Sequence, residues 1–175
     1  MTPKLAPYGK IDLVIVSPLS RTIQTALVAI PEGPKIIVDE RIRERNGKHP
    51  CDKRRPVAEL KADFPMIDFS SLKAEEDDTW TPAREPWEKL VARAGDFCRA
   101  LHERPEESVA IVTHNDFLQA LLLEAPELKT AEPALRKKFQ NAEMMPLWFW
   151  AQPASAPCES PVERAKPEFS PRATA

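Results

Sequence analysis

Three short segments carry residues whose types suit work on an oxyanion. In SPLSRT, Arg21 follows Ser17 and Pro18 at the start of a candidate helix. Free backbone N–H groups and the positive end of a helix dipole gather there, and a guanidinium beside them suits a doubly charged phosphate. In VAIVTHND, four apolar residues run into Thr113, His114, Asn115 and Asp116. A histidine where a buried strand stops lies on the kind of loop that carries function. The third segment, RIRERNGKHPCDKRR (41–55), surrounds Glu44, His49 and Asp52 with arginine and lysine. A buried or cation-flanked glutamate serves as general acid or base, and the basic side chains would draw in an anion. Each segment also has a plain structural reading. Arg21 would be a surface helix residue, His114 a strand-end side chain bonded to backbone, and 41–55 a solvated charged loop. His102, near the end of a long helical stripe, reads as a surface residue compatible with the helix dipole.

The elements that must position these residues follow from periodicity. IDLVIVS (11–17) is a β-branched run that ends at Ser-Pro and reads as a buried parallel strand. SRTIQTALVAI (20–30) places Ile23, Leu27 and Ile30 on one helical face, with Ser17 or Ser20 as cap and Pro18 in the first turn. KIIVDE (35–40) is a second strand. Residues 41–86 are polar and proline-rich, and predict loops and short helices over one edge of the sheet. Trp87, Leu90, Val91, Ala94, Phe97, Cys98 and Leu101 recur at three and four, which marks a long helix from about Glu85. SVAIVTH (108–114) is the third strand, and DFLQALLLEA (116–125) the helix after it, with Asn115 or Asp116 as its cap. ELKTAEPALRKKFQ reads as an exposed helix, and NAEMMPLWFW (141–150) as a last strand held to an edge or bulge by Pro146.

Strand alternating with helix predicts an α/β fold: three layers, α/β/α, with a mostly parallel sheet. Ligands bind such sheets beyond the carboxyl ends of the strands. Ser17 to Arg21 lie at one such end and His114 at another. The chain has 175 residues, enough for one domain, expected over 1–150. The stretch 151–175 has no apolar period and carries five of the 19 prolines, so it reads as a disordered tail. A net charge of −2 argues against nucleic acid as the partner. No apolar run approaches the roughly 20 residues of a membrane helix, and MTPKLAPYGK lacks a signal-peptide core. Cys51, Cys98 and Cys158 are widely spaced. They suit a reducing compartment, hence a cytoplasmic location, and show no zinc spacing.

Together these segments resemble the histidine phosphatase superfamily, also called phosphoglycerate mutase-like. DLVIVSPLSRTIQTA is similar to its strand-to-helix segment, with Ser17, Pro18, Leu19, Arg21, Gln24, Thr25 and Ala26 in register. VAIVTHNDFLQALL looks like its second histidine segment, and FQNAEMMPLWF its last core strand. IRERNGKHPCDKRR and FPMIDFSSLKAEEDDTWTP are closer to a plant-type branch. The resemblance covers about residues 11–150. It implies that Arg21, with Ser17 beside it, binds the phosphoryl group of a phosphorylated small molecule or other anionic substrate. It implies that Glu44 protonates the leaving oxygen, and that His114 hydrogen-bonds the phosphoryl oxygens and stabilises the transition state. Positioning and electrostatics dominate such phosphoryl transfer. No metal or other cofactor is implied.

Two departures stand out. The family's nucleophile is a histidine in an Arg-His-Gly motif on its first, central strand. Only ten residues precede Ile11 here, and they hold neither that motif nor any histidine. The motif's arginine, a second phosphate ligand, is missing with it. His49 sits in an HPCD context that the plant-type branch shares, so it reads as ordinary there. Secondly, Asn115 and Asp116 follow His114 where a small residue is usual, and Asp116 brings negative charge unless it caps the helix. Without the first strand, two apolar strands lose a neighbour each. The sheet then closes the gap, a partner supplies a strand, or the sequence is a truncated product of a longer gene. The reading favoured is a truncated, weakly active or inactive relative. The alternatives are a non-catalytic binder of a phosphorylated ligand through Arg21 and His114, and an interaction module using the acidic 75–78 run or the tail.

Overall fold

A computed structural model of the chain describes residues 10–30, 33–126, 128 and 138–147. Three parallel strands form its sheet in the order β2-β1-β3: β1 (Leu13–Val16), β2 (Lys35–Val38) and β3 (Val109–Val112). β1 is central. Val16 lies opposite Val38 on one side and Val112 on the other, so all three strands end level. The helices are α1 (Ser20–Ala29), α2 (Val57–Asp63), α3 (Trp87–His102) and α4 (Asn115–Gln119).

The continuous apolar sequence of β1 is explained by burial on both faces; no residue of LVIV exceeds 2% exposure. Alternation sends Val14 and Val16 into one core, with Ile23 and Ala26 of α1 and Val57 and Leu60 of α2. Leu13 and Ile15 enter the other, with Leu90, Ala94 and Phe97 of α3 and Phe117 of α4. Phe97 and Phe117 meet edge to face at 5.8 Å between centroids. The expected three layers are therefore present. β3 is only half-buried along its length, and among the described residues no strand pairs with its outer edge.

The polar stretch 41–86 does lie over an edge, that of β2. Val38 donates to the Asp68 carbonyl and Asp68 to that of Ile36, both at 3.0 Å. Its charges are mostly internal. Asp77 is buried and accepts from Arg43 Nη1 (3.0 Å) and Nη2 (2.6 Å), and from the Arg54 amide (2.7 Å). Arg54, also buried, donates to the carbonyls of Ala74, Glu75 and Glu76. Asp77 and the carbonyls of 74–76 thus close a buried knot, while the side chains of Glu75, Glu76 and Asp78 stay exposed.

Three expectations are corrected. The helix after β3 is α-helical only to Gln119 and then widens into a π turn, Ala120–Glu124, where Ala125 N–H reaches the Ala120 carbonyl at 2.9 Å. The described part of the last apolar segment, 141–147, is not a strand. Neither α1 nor α4 has the expected side-chain cap at its start, for reasons given below. Most of the exposed helix expected over 127–140 and the tail at 151–175 fall outside the described residues, and 138–140, which are described, are not helical.

Burial alone would raise the Asp77 pKa, but hydrogen bonds from Arg43 and the Arg54 amide, with the Arg43 charge, hold it well below the usual carboxylate range. A carboxylate depressed in the folded state stabilises above its unfolded pKa, and that stability is lost as pH falls. Asp77→Asn should cost about 1.5–3 kcal/mol at pH 7, the worth of a charged hydrogen bond, since Arg43 keeps Glu40 and the Asp52 carbonyl. In urea titrations the gap from wild type should narrow below about pH 4. A gap that stays constant down to pH 3 would contradict this assignment.

Candidate active site

The level ends of β1 and β3 build the site. Ser17, one residue past β1, donates its amide to the Val112 carbonyl at 3.0 Å and so extends the ladder. His114, two residues past β3, then lies beside it. The His114 ring is buried, with Nε2 2.8 Å from Ser17 Oγ and Nδ1 3.2 Å from Arg21 Nη2. A guanidinium only donates, so Nδ1 accepts, and the proton sits on Nε2 and is donated to Ser17. α1 has no side-chain cap, because neither nearby serine stands at the capping position. The Ser17 hydroxyl is engaged by His114 and meets the Leu19 amide only at 3.4 Å. Leu19 itself precedes the helix, with no side-chain cap, and Ser20 is its first residue. The Thr22 hydroxyl braces the turn instead, 3.0 Å from the Ser17 carbonyl and 2.6 Å from that of Leu19.

His114 likewise takes the capping place before α4, with extended backbone and its ring turned to Ser17. Asn115 accepts from the Phe139 amide at 3.0 Å. Asp116 does not cap either; its Oδ2 faces Arg84 Nη2 at 3.4 Å.

Arg21 is held at three points. It donates to His114, to the Cys51 carbonyl (2.6 Å) and to Asp52 Oδ1 (2.9 Å). Asp52 is buried, and its other oxygen accepts from Arg84 Nη1 at 3.0 Å. Arg84 also donates to the Gly47 carbonyl at 3.0 Å. Gly47 has φ of +78°, and a Cβ there would stand 2.0 Å from the Ala83 carbonyl oxygen. Glycine is required for this close approach, which brings Arg84 onto the loop.

Glu44 is placed by its backbone. Its carbonyl accepts from Arg93 Nη2 (3.2 Å), and Arg93 also bonds the carbonyls of Arg41 and Arg43 and the Glu85 carboxylate. The Thr113 hydroxyl ties the end of β3 to the Ile42 carbonyl at 2.6 Å. Burial raises the Glu44 pKa; the Arg45 amide opposes this, the charges of Asp116 and Asp52 add to it, and Arg21 opposes it. Glu44 therefore shares one electrostatic neighbourhood with Arg21, Asp52 and Asp116.

A family model for the histidine phosphatase superfamily (branch 1) matches residues 2–154. The chain belongs to the histidine phosphatase superfamily. It is 38% identical over 144 residues to a phosphoglycerate mutase-like protein of Arabidopsis thaliana, covering 65% of this chain and 53% of the relative. It is 39% identical over 141 residues to phosphoglycerate mutase-like protein 1 of the same plant, covering 63% and 50%. The chain spans about half the length of the curated relatives it matches.

In this histidine phosphatase relative, sequence reasoning singled out Ser17, Arg21, Glu44 and His114. The structure joins Ser17, His114 and Arg21 by contact at the two strand tips, while Glu44 meets them only through its charge interaction with Arg21. Asp52 was noted only as a neighbour of Glu44. Arg84 and Arg93 were missed. Arg93 sits within the periodic α3 but on its half-buried flank; Arg84 lies in a segment with no period at all. The expected draw of the basic loop on an anion also narrows. Arg43 and Arg54 are buried in the Asp77 knot, Arg55 pairs with Glu59 and Asp63, and Arg45 and Lys53 stack on Trp87 and Trp80. His49 is exposed on the loop, and His102 is in the last turn of α3.

Burial lowers the His114 pKa to about 3, helped by the charges of Arg21, Arg93 and Arg43. An imidazole depressed in the folded state loses stability to the unfolded chain as pH falls below about 6.5. Nitrogen-detected NMR should show His114 neutral, with its proton on Nε2, from pH 8 down to pH 5. A titration midpoint near 6.5 would contradict this geometry.

Proposed function

We propose that this chain binds the phosphoryl group of a phosphorylated small molecule at the tips of β1 and β3, within a lineage that transfers or hydrolyses phosphate esters. The observation that carries the proposal is the contact of Arg21 Nη2 with His114 Nδ1 at 3.2 Å, across 93 residues of sequence. Arg21 supplies a fixed positive charge and a donor fork suited to phosphate oxygens. His114 and Ser17 supply a buried hydrogen-bonding pair beside it. Donating to a phosphoryl oxygen from the Nδ1 side requires His114 to turn its ring or to take up a proton, which a dianion beside it would favour. Glu44 is the proton donor in this reading. Its raised pKa keeps the carboxyl protonated to higher pH than an exposed glutamate, as a general acid requires.

Turnover is a separate matter. The sequence contains no Arg-His-Gly, and its histidines are His49, His102 and His114. His102 and His49 are exposed, and the Arg21 guanidinium contacts His114 rather than either of them, so neither is read as a placed nucleophile. We therefore read this chain by itself as a phospholigand-binding protein with weak or no phosphatase activity. The same proposal takes 1–150 as the α/β domain, 151–175 as a solvated tail, and the cytoplasm as location. Among the described residues no helix is long and apolar enough to cross a membrane.

Calorimetry with inorganic phosphate tests the pocket. Wild type should bind, and Arg21→Ala should bind roughly tenfold or more weakly, as expected for a charged hydrogen bond worth ~1.5–3 kcal/mol. Equal affinities would overturn the pocket. An aryl phosphate should stay unhydrolysed, and turnover by this chain well above background would overturn the non-catalytic half.

A further inference from the structure

We propose that Arg84 is a second anion-binding side chain of this site, and that the Asp52 carboxylate occupies the anion's place between Arg84 and Arg21 in the unliganded protein. The inference rests on the phosphoryl pocket proposed above and extends it to a residue on a different segment.

Asp52 is placed as a ligand would be. Its carboxylate is buried, and each oxygen faces a different guanidinium: Oδ1 to Arg21 Nη2 at 2.9 Å, Oδ2 to Arg84 Nη1 at 3.0 Å. Carboxylate and phosphoryl oxygens present the same acceptor geometry to an arginine fork. A phosphoryl group between the same two forks would replace one bridging anion with another of higher charge.

Both arginines remain partly open to solvent, at 43% for the Arg21 side chain and 25% for Arg84, whereas Asp52 shows only 6%. The cations are thus reachable from outside and the bridging carboxylate is the internal group. Arg84 is oriented by its own anchor, the Gly47 carbonyl at 3.0 Å, which survives if Asp52 leaves. Its contact with Asp116 is long at 3.4 Å, beyond the roughly 2.7–2.9 Å of a strong charge-assisted bond. Arg84 Nη2 is therefore the least committed donor of the pair.

The charge balance points the same way. Arg21 and Arg84 are matched by Asp52 and Asp116. A dianion added to that set meets no net positive charge unless a carboxylate withdraws. Asp52 ends a single 3₁₀ turn, Pro50–Asp52, next to exposed Lys53; its backbone is held by the His49 carbonyl and by Arg43, so rotation of the side chain alone leaves that turn in place.

Arginine footprinting on the wild-type chain tests this without risk to folding. Phenylglyoxal modification is followed by mass spectrometry with and without inorganic phosphate. Phosphate should slow modification of both Arg21 and Arg84 several-fold, and leave the exposed, Glu59-paired Arg55 unchanged. Protection of Arg21 with none at Arg84 would overturn this inference and leave the parent pocket standing. Protection of neither would remove the pocket itself. In calorimetry, Arg84→Gln should weaken phosphate binding about tenfold, and Arg84→Lys should restore part of it. Asp52→Asn should tighten binding several-fold, because the competing anion is gone. Unchanged or weaker binding by Asp52→Asn would show that the carboxylate does not hold the anion's place.

Discussion

Everything at this site depends on β1 pairing in register with a parallel strand on each side. The pairing sets Val16, Val38 and Val112 at one level, so the chain leaves the sheet at one edge in all three places. A slip of one residue in the β1–β3 register would move His114 a full strand step from Ser17 and turn the apolar residues of β3 to opposite faces. The buried contact between His114 and Ser17 is consequently a readout of the sheet. Helix α1 starts without a side-chain cap because apolar Leu19 holds the capping place, with Ser17 upstream of it and Ser20 already inside the helix.

A second layer of organisation sits in the charges. The loop that carries Glu44 and Asp52 is held by an internal knot of Arg43, Arg54 and Asp77, by Arg93 beneath its carbonyls, and by the close approach at Gly47. These groups fix backbone, so the loop keeps its shape although it has little apolar content. What reaches the strand tips is a small alternating set: Arg21, Asp52, Arg84, Asp116, with Glu44 nearby. Buried ion pairs of this kind are weak sources of stability but specify geometry when every partner is satisfied. The cavity of about 330 Å³ that begins at Leu13 and Lys35, at the opposite ends of the strands, has a different character. Its charges are closed into pairs, Lys35 with Asp68, Arg104 with Glu106 and Asp12 with Lys10.

Periodicity made the sheet and its main helices legible before any coordinates. LVIV, KIIV and VAIV are short β-branched runs, and the stripe from Trp87 to Leu101 repeats at helical spacing. The strand-tip rule then brought Arg21 and His114 together. The segment 41–86 resisted because its structure is set by arginine–carboxylate contacts, which leave no period. Arg84 is the clearest case: it is placed by a glycine 37 residues earlier and by Asp52, and neither pairing has a sequence signature. The caps failed for a different reason. Serine, asparagine and aspartate near a helix start cap it only from the residue that just precedes the first turn, and here Leu19 and His114 hold those places. The π turn after Gln119 buries Ala120, Leu121 and Leu122 together, which a strict 3.6 period does not anticipate.

A crystal structure of the chain grown with inorganic phosphate addresses the central claim most directly. The account predicts phosphate within about 2.7–2.9 Å of the Arg21 and Arg84 guanidinium groups and beside the His114 ring, with the Asp52 side chain turned out of that position. Phosphate bound elsewhere, with Arg21 still donating to both Asp52 and His114, would contradict it.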